Sequence, residues 1–414
     1  MQRKKLNIGL FGFGCVGFGL YQVLERTPTL NATIKTICVK DRHKQRPIPA
    51  DRFTFHKEDI LDDKDINVIV ELIDNADEAF EIVSAALRSG RAVVTANKKM
   101  IAEHLAELID LQRTYGVPLL YEASCCASIP ILRNLEEYYD NDLLESVEGI
   151  VNGSTNYILT KMASEGLSYD TALKEAQQKG YAESNPLLDT GGFDAKYKLL
   201  ILAAHAFGGI LKPSEIFNAG IDRITPLDQQ YAKEKGLKVK LLARAFKKED
   251  GTVSTFVSPH YIRPTDRLYN VDDVYNGVTL KTVFSEDQFF SGKGAGAYPT
   301  ASAVISDLSA LTYDYKYEYK KVNHYEHITY SHDTLLKVYA SSQSDYQADV
   351  AAYFEEVWEQ FSNGRQCYNI GTISLGNYAR LYAEKPVSLI VIDRHTSGEE
   401  VLAGVDIETL VATP

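Results

Sequence analysis

The run Gly12-Phe13-Gly14-Cys15-Val16-Gly17 has the residue types and spacing to hold a pyrophosphate. Glycine lets the backbone turn tightly after a strand and come close to a diphosphate. The anion then rests on the N-terminus of the following helix. The glycine spacing alone is weak; its place after the apolar run Leu6 to Phe11 and before the helically spaced Val16, Leu20, Val23 and Leu24 makes it a dinucleotide site. A second group of reactive residues runs from Gly180 through Glu183 and Asp189 to Asp194-Ala195-Lys196-Tyr197-Lys198. Asp194 and Lys198 are one helical turn apart and share a face. Glu183 and Asp189 lie on the loop before that helix. Carboxylates to receive an ammonium and a lysine to move a proton are what a small zwitterionic substrate needs. An exposed Asp–Lys pair at a helix start has the same spacing.

Lys98, in Thr95-Ala96-Asn97-Lys98-Lys99, stands at the C-terminal end of an expected strand, the edge where open α/β sheets bind ligands. From there it can reach the nicotinamide end of a cofactor or lie on the surface. The second strand ends at Val39, followed by Lys40-Asp41-Arg42, with Lys44 and Arg46 close by. A basic residue here tolerates a 2′-phosphate, whereas an acidic one bonds the 2′-hydroxyl. Lys40 favours NADP, and Asp41 leaves NAD open. His205 shares the face of Asp194 and Lys198 but reads as a satisfied core histidine. His324 and His327 flank Glu326, but a strand would put them on opposite faces, so no metal is expected there.

The elements that must position these groups form two patterns. Up to about residue 130, apolar strands alternate with helices (Glu78–Ser89 and Ala102–Tyr115, each closed by a glycine), which specifies a parallel sheet covered on both faces. The fold class is α/β: a Rossmann-type dinucleotide-binding domain over 1–130 and an α+β substrate and dimerisation domain over 131–299. The latter has expected strands at Ser146–Val151, Lys238–Phe246, Val253–Tyr261 and Gly277–Phe284, and a long helix from Asp194 to Phe207. A helix Thr300–Leu311 returns to the first domain, and 300–320 includes a connector in which Tyr313, Tyr315, Tyr317 and Tyr319 alternate with charge. Residues 321–414 read as a small α+β domain, with strands near Leu335–Ala340, Thr372–Tyr378 and Val387–Ile392 and a helix Val350–Phe361.

The 414 residues suffice for a sizeable core without disulfide or metal staples. A net charge of −12 argues against nucleic acid or an anionic membrane as partner. The five cysteines are odd in number and lack a CxxC spacing, which fits free thiols in a reducing cytoplasm. Neither a signal peptide nor a membrane-spanning run is read.

The motifs GFGCVG, TANKK, EASCCASIPI, VNGSTNYIL, GYAESNPLLDTGGFDAKYK and GKGAGAYPTASAV occur in the order and spacing seen in homoserine dehydrogenases. Over residues 5–312 the chain resembles that family, in its monofunctional form, since no kinase-like segment precedes the motifs. The resemblance implies NAD(P)-dependent interconversion of L-homoserine and L-aspartate 4-semialdehyde, on the route to threonine, methionine and isoleucine, by a homodimer or homotetramer. It makes Lys198 the proton donor and Lys98 the second active-site lysine. Glu183 and Asp194 would hold homoserine, with Asp189 in support. Phe13, Val16, Lys98, Gly180 and Gly296 would join Gly12, Gly14 and Gly17 in contacting the cofactor, and Lys40 would receive the 2′-phosphate. Backbone carbonyls of Glu122, Cys125, Ala127 and Ile129 would bind sodium.

Two departures stand out. The family commonly has glycine where Ala127 and Ser128 stand, and alanine resists φ > 0. Many relatives end in an ACT regulatory domain, a βαββαβ unit opening with an Asp-x-Pro-Gly-like turn. The segment from His327 to Leu336 lacks that turn, so the tail is either a divergent ACT-like domain or a different one, dispensable for chemistry and with weak or absent threonine inhibition. Two rivals remain: another Rossmann oxidoreductase acting on an amino acid or sugar, and a nucleotide sensor without turnover. The retained pair Lys98 and Lys198 disfavours the sensor.

Overall fold

The computed structural model describes residues 4–141, 143–324 and 328–392. Its first layer is a six-stranded parallel sheet built from β1 (Leu6–Phe11), β2 (Ala32–Cys38), β3 (Phe53–Thr54), β4 (Val68–Glu71), β5 (Ala92–Thr95) and β6 (Leu119–Leu120). β4 and β5 are buried at every position, as strands covered on both faces must be. The spatial order is β3-β2-β1-β4-β5-β6. It reverses between β1 and β4, which opens a crevice beyond their C-terminal ends. Helices Ala76–Arg88 and Lys98–Tyr115 start at Asn75 and Asn97, whose side chains accept from the N–H groups of Glu78 and Met100.

The second sheet contains β7 (Leu144–Ile150), β8 (Phe217–Asn218), β9 (Lys238–Lys247), β10 (Val253–Ile262), β11 (Tyr275–Thr282) and β12 (Asp287–Lys293). It continues through β13 (Leu335–Gln343), β14 (Glu356–Ser362), β15 (Gln366–Ser374) and β16 (Ser388–Val391). The order is β12-β11-β7-β9-β10-β16-β13-β15-β14, with β8 paired to β10. The helix Phe193–Phe207 lies at the junction of the two layers, against β9, β10 and the helix Lys98–Tyr115. It is buried except at Phe193 and Tyr197. The helix Ala297–Leu311 returns to the first layer and packs on Cys15–Glu25. Gly19 permits that approach, since a Cβ there would stand 2.8 Å from the Ala297 carbonyl.

Two expectations about the tail need correction. Val350–Phe361 is not one helix: Gln347–Ala351 is a single short turn of helix, and Glu356–Ser362 is the edge strand β14. Val350, Phe354, Val357 and Phe361 recur at helical spacing, but pairing with β15 overrides it. The strand expected at Thr372–Tyr378 ends at Ser374, whose hydroxyl accepts from the Asn377 N–H and starts the helix Leu375–Glu384. The tail runs β-α-β-β-α-β, and β16 hydrogen-bonds to β10, with His260 opposite Val391. Its core of Leu336, Val338, Val350, Tyr378, Leu381 and Leu389 also takes in Ala219, Phe246 and Phe256. The connector holds no strand. Tyr317 and Tyr319 are buried against Tyr121 and His205, and the Tyr317 carbonyl accepts from Gln112. Glu326 and His327 lie outside the described residues, as does 393–414 of the tail.

Candidate active site

The turn after β1 shows why each glycine is there. Gly12 adopts φ +92°, and a Cβ on it would be 2.6 Å from the Leu72 carbonyl. Gly17 would drive a Cβ to 2.4 Å from the Gly12 carbonyl. Gly14, at the N-terminus of the helix Cys15–Glu25, faces nothing within 4 Å, so its backbone is bare toward the crevice. One glycine turns the chain, one packs the helix, and the third leaves room for a diphosphate at a positive helix end; the cradle fits a dinucleotide. Phe13 is buried edge-on to Phe18, Tyr21 and Phe53, so only its backbone is free to serve a ligand. Val16 follows on the first turn of that helix.

Beyond β2, Lys40 is exposed. The Asp41 carboxylate accepts from the His43 and Lys44 N–H groups at 2.8 and 3.2 Å, which holds it below the usual carboxylate range. Arg46 donates to the Asp41 and Lys44 carbonyls and lies over Phe53. Asp41 thus shapes its own loop, while the cations of Lys40 and Lys44 are exposed at this end.

The two lysines meet on one carboxylate. Asp194 Oδ1 is 2.9 Å from Lys98 Nζ, and Oδ2 is 2.7 Å from Lys198 Nζ. Burial pushes the Asp194 carboxyl up, but the Lys198 and Lys98 charges outweigh it and hold it far below the usual range. Asp194's charge in turn holds Lys98 above an ordinary lysine, against its burial. Lys98 opens its helix, where a cation opposes the helix dipole, so Asp194 is the counter-charge that keeps it there. Lys198 also donates to the Val151 carbonyl at 2.7 Å. Two of its three N–H groups are then used, and the third is left for a ligand oxygen.

Asn152 joins the site without having been singled out from the sequence. Its Nδ2 donates to Asp189 Oδ1 at 2.7 Å and to Asp194 Oδ2 at 2.8 Å, while its Oδ1 caps the helix Gly153–Glu165. Burial raises the Asp189 carboxyl, and the neighbouring Asp194 charge adds to that. An asparagine before Gly-Ser-Thr is a helix-start signal, and that signal could have located it. Glu183 is exposed on its loop, where its backbone carbonyl accepts from Gln177. The structure therefore gathers Lys98, Asp189, Asp194 and Lys198, and leaves Glu183 at the rim. Gly180, at φ +73°, precedes that loop, and Gly296, at φ +122°, begins the helix Ala297–Leu311.

Two further buried groups flank the crevice. Glu71, at the end of β4, accepts from Thr95 Oγ1 at 2.5 Å and from the Ile73 N–H at 2.7 Å; burial raises its carboxyl to about 7. In the 122–129 loop, Cys126 and Ala127 adopt φ +54° and +40°, the left-handed turn that glycine would supply at no cost. The Glu122 carboxylate is used by the Leu132 and Arg133 N–H groups, which leaves only its carbonyl for any other role. His205 is a satisfied core residue: Nδ1 lies 2.6 Å from Glu136, and Nε2 lies 2.8 Å from the Tyr121 hydroxyl. Among the described residues no group of three His, Cys, Asp or Glu side chains could hold a metal ion.

With the geometry in hand, the likenesses to known proteins are specific. Residues 12–122 match the family model described as homoserine dehydrogenase, NAD binding domain, and residues 130–309 match that described as homoserine dehydrogenase. A homoserine dehydrogenase of Helicobacter pylori is 38% identical over 313 residues, which span 74% of this chain and 73% of that protein. A crystal structure of a homoserine dehydrogenase from Thiobacillus denitrificans superposes with a TM-score of 0.83 at 29% identity, covering 94% of this chain and 98% of that one. A hyperthermophilic archaeal homoserine dehydrogenase mutant, in complex with NADPH, superposes at 0.66 and 27% identity, covering 76% of this chain and all of that one.

Proposed function

The chain belongs to the homoserine dehydrogenase family, an NAD(P)-dependent oxidoreductase that interconverts L-homoserine and L-aspartate 4-semialdehyde, and we propose that its chemistry is centred on Asp194 and the two lysines it pairs. The observation that carries this reading is the placing of Lys98 and Lys198 on opposite oxygens of one buried carboxylate. When bound, the nicotinamide supplies or accepts the hydride at its C4. In the oxidising direction the neutral Lys198 amine takes the hydroxyl proton of homoserine at the position not engaged by Asp194 or Val151, and becomes the ammonium. In the reducing direction that ammonium donates to the oxygen formed from the aldehyde. Lys98, held protonated, neutralises Asp194 and orients it. Asp189 and Asp194, with Glu183 at the rim, receive the substrate ammonium, and Asn152 fixes the two inner carboxylates. The test is the near-ultraviolet absorbance of reduced nicotinamide on mixing the protein with homoserine and NADP or NAD. No change with either cofactor defeats the assignment.

NADP is the preferred cofactor in this reading, because Asp41 is committed to its loop while Lys40 is exposed. The NADPH complex of the archaeal relative agrees with it. Phe13, Val16, Gly180 and Gly296 would add cofactor contacts. Carbonyls of Glu122, Cys125, Ala127 and Ile129 would hold a sodium ion. The left-handed turn kept at Cys126 and Ala127 despite their Cβ atoms supports a shaped loop there. Residues 1–130 then bind cofactor, 131–299 bind substrate and pair subunits, 300–320 return and connect, and 328–392 of the C-terminal α+β domain form an ACT-like unit. A homodimer or a dimer of dimers is supported by Val283 and Phe284, which are 49% and 81% exposed at the β11–β12 turn beside the exposed Leu143. A monomer by light scattering at micromolar concentration contradicts it. All five cysteines are free, as a reducing cytoplasm requires. No described helix is long and apolar enough to cross a membrane.

A further inference from the structure

The segment 217–223 is held from two sides, and the two sides belong to different parts of the molecule. One side is the loop that carries Asp189. The Ile221 N–H donates to the Thr190 carbonyl at 2.8 Å, and Asn218 Nδ2 donates to the Gly191 carbonyl at 2.7 Å. Gly220 lies so close that a Cβ on it would be 2.3 Å from the Thr190 carbonyl. The other side is the tail helix Leu375–Glu384. The Gly220 N–H donates to the Tyr382 hydroxyl at 3.1 Å. Arg223 Nη1 donates to the Tyr382 carbonyl at 2.6 Å, and its guanidinium lies 4.0 Å over the Tyr382 ring. Phe217 meets the same ring edge-on at 5.8 Å. One tail side chain thus grips the segment at three points. The residue it bonds, Gly220, is the one with no side chain between itself and Thr190.

We propose that Tyr382 is a positioning residue for substrate binding: through Gly220 and Arg223 it sets the height of the Thr190–Gly192 backbone, and with it Asp189 and the start of the helix that carries Asp194. The proposal rests on the reading that Asp189 and Asp194 receive the homoserine ammonium. It places part of the substrate site's definition in the tail, more than three hundred residues from the dinucleotide turn. The hydrogen bonds of this segment run to the Asp189 loop, to β10 and to the tail helix, so the effect falls first on the homoserine site. A tail residue that only stabilised the fold would leave the kinetic constants of the folded enzyme unchanged.

The experiment is steady-state kinetics on the full chain with Tyr382→Phe, Tyr382→Ala and, as a separate control, Asp189→Asn. Tyr382→Phe keeps the ring under Arg223 and removes only the hydroxyl. Loss of that one hydrogen bond is expected to raise KM for homoserine about 3- to 10-fold. Both kcat and KM for the cofactor should stay within about twofold. Tyr382→Ala should raise KM for homoserine further; should it fail to fold, the Phe variant decides alone. If both variants keep the parental KM for homoserine while Asp189→Asn raises it, the positioning role is overturned and the substrate reading stands. If Asp189→Asn also leaves that KM unchanged, the substrate reading is overturned and the positioning role falls with it.

Discussion

Asp194 offers two oxygens, and each is taken by a lysine from a different helix. Removing one lysine does not leave a bare buried charge, because the other and Asn152 remain. Lys198→Ala should therefore fold normally and lose at least about 10²-fold in turnover, the lower range for a proton-transfer group. Near-parental turnover in a folded variant would remove Lys198 from the chemistry. Glu71 gives a prediction of another kind. Its carboxyl keeps a proton up to about pH 7 in the folded chain, against about 4.3 in an unfolded one. Between those values the folded state binds more protons, so its contribution to stability falls as pH rises through that window and stays low above it. Glu71→Gln cannot ionise and keeps an acceptor for the Ile73 N–H. It should raise Tm relative to the parent at about pH 8 and scarcely at about pH 5. An equal Tm difference at both values counts against a neutral Glu71. The sequence displayed Lys98, Asp189, Asp194 and Lys198 because charge beside an apolar run is conspicuous. Asn152 and Glu71 escaped notice because a capping asparagine and a strand-end glutamate look ordinary until burial is known.

Between residues and the whole molecule, the turns decide most. Ala127 stands at φ +40°, where an alanine is strained and a glycine is not. Relief of that strain exceeds the extra chain entropy glycine brings, so Ala127→Gly should stabilise by about 0.5–1 kcal/mol. Denaturant midpoints read this directly, and a lower midpoint would show that the turn is not strained. At the end of β2, Lys40→Glu should move the ratio of kcat/KM from NADP toward NAD, because it replaces an exposed cation with a group that repels a 2′-phosphate. A parental enzyme already faster with NAD makes that reading of Lys40 untenable. Elements of the parallel sheet were legible because strands buried on both faces are nearly continuous apolar runs, and because glycines or asparagines punctuate the helices. β14 was not, since Val350, Phe354, Val357 and Phe361 imitate a helix and only the pairing with β15 makes the strand. β12 carries mixed exposed residues and is a strand because β11 lies beside it.

At the scale of the molecule, the tail has two tasks that the sequence did not separate. Residues 315–321 fill the first core: Tyr317 and Tyr319 are buried, and Lys321 donates to the Leu135 and His205 carbonyls. The βαββαβ unit beyond covers Phe246, Phe256 and Ala219, and closes the far edge of β10 through β16. Neither contains a group from the lysine–aspartate cluster, and the archaeal relative is matched in full by about three quarters of this chain. Chemistry and stability should therefore come apart on truncation. A chain ending at Leu311 loses two fully packed tyrosines, each worth about 3 kcal/mol or more. Together that is about 6 kcal/mol, comparable with the whole of an ordinary margin of about 5–15 kcal/mol, so it should not give a stably folded chain. A chain ending at His324 retains them and uncovers Ala219, Phe246 and Phe256, along with Tyr231, Tyr261 and Asp228, which meet Tyr339 and Ser341 of the tail. It should fold with a lower Tm, oxidise homoserine at a kcat close to the parent's, and show a raised KM for homoserine once Tyr382 is gone. Threonine should inhibit the full chain weakly or not at all. Strong threonine inhibition of the full chain that disappears in the shortened one would make the βαββαβ unit a working effector domain. Loss of kcat in a folded chain ending at His324 would show that the tail enters the chemistry itself.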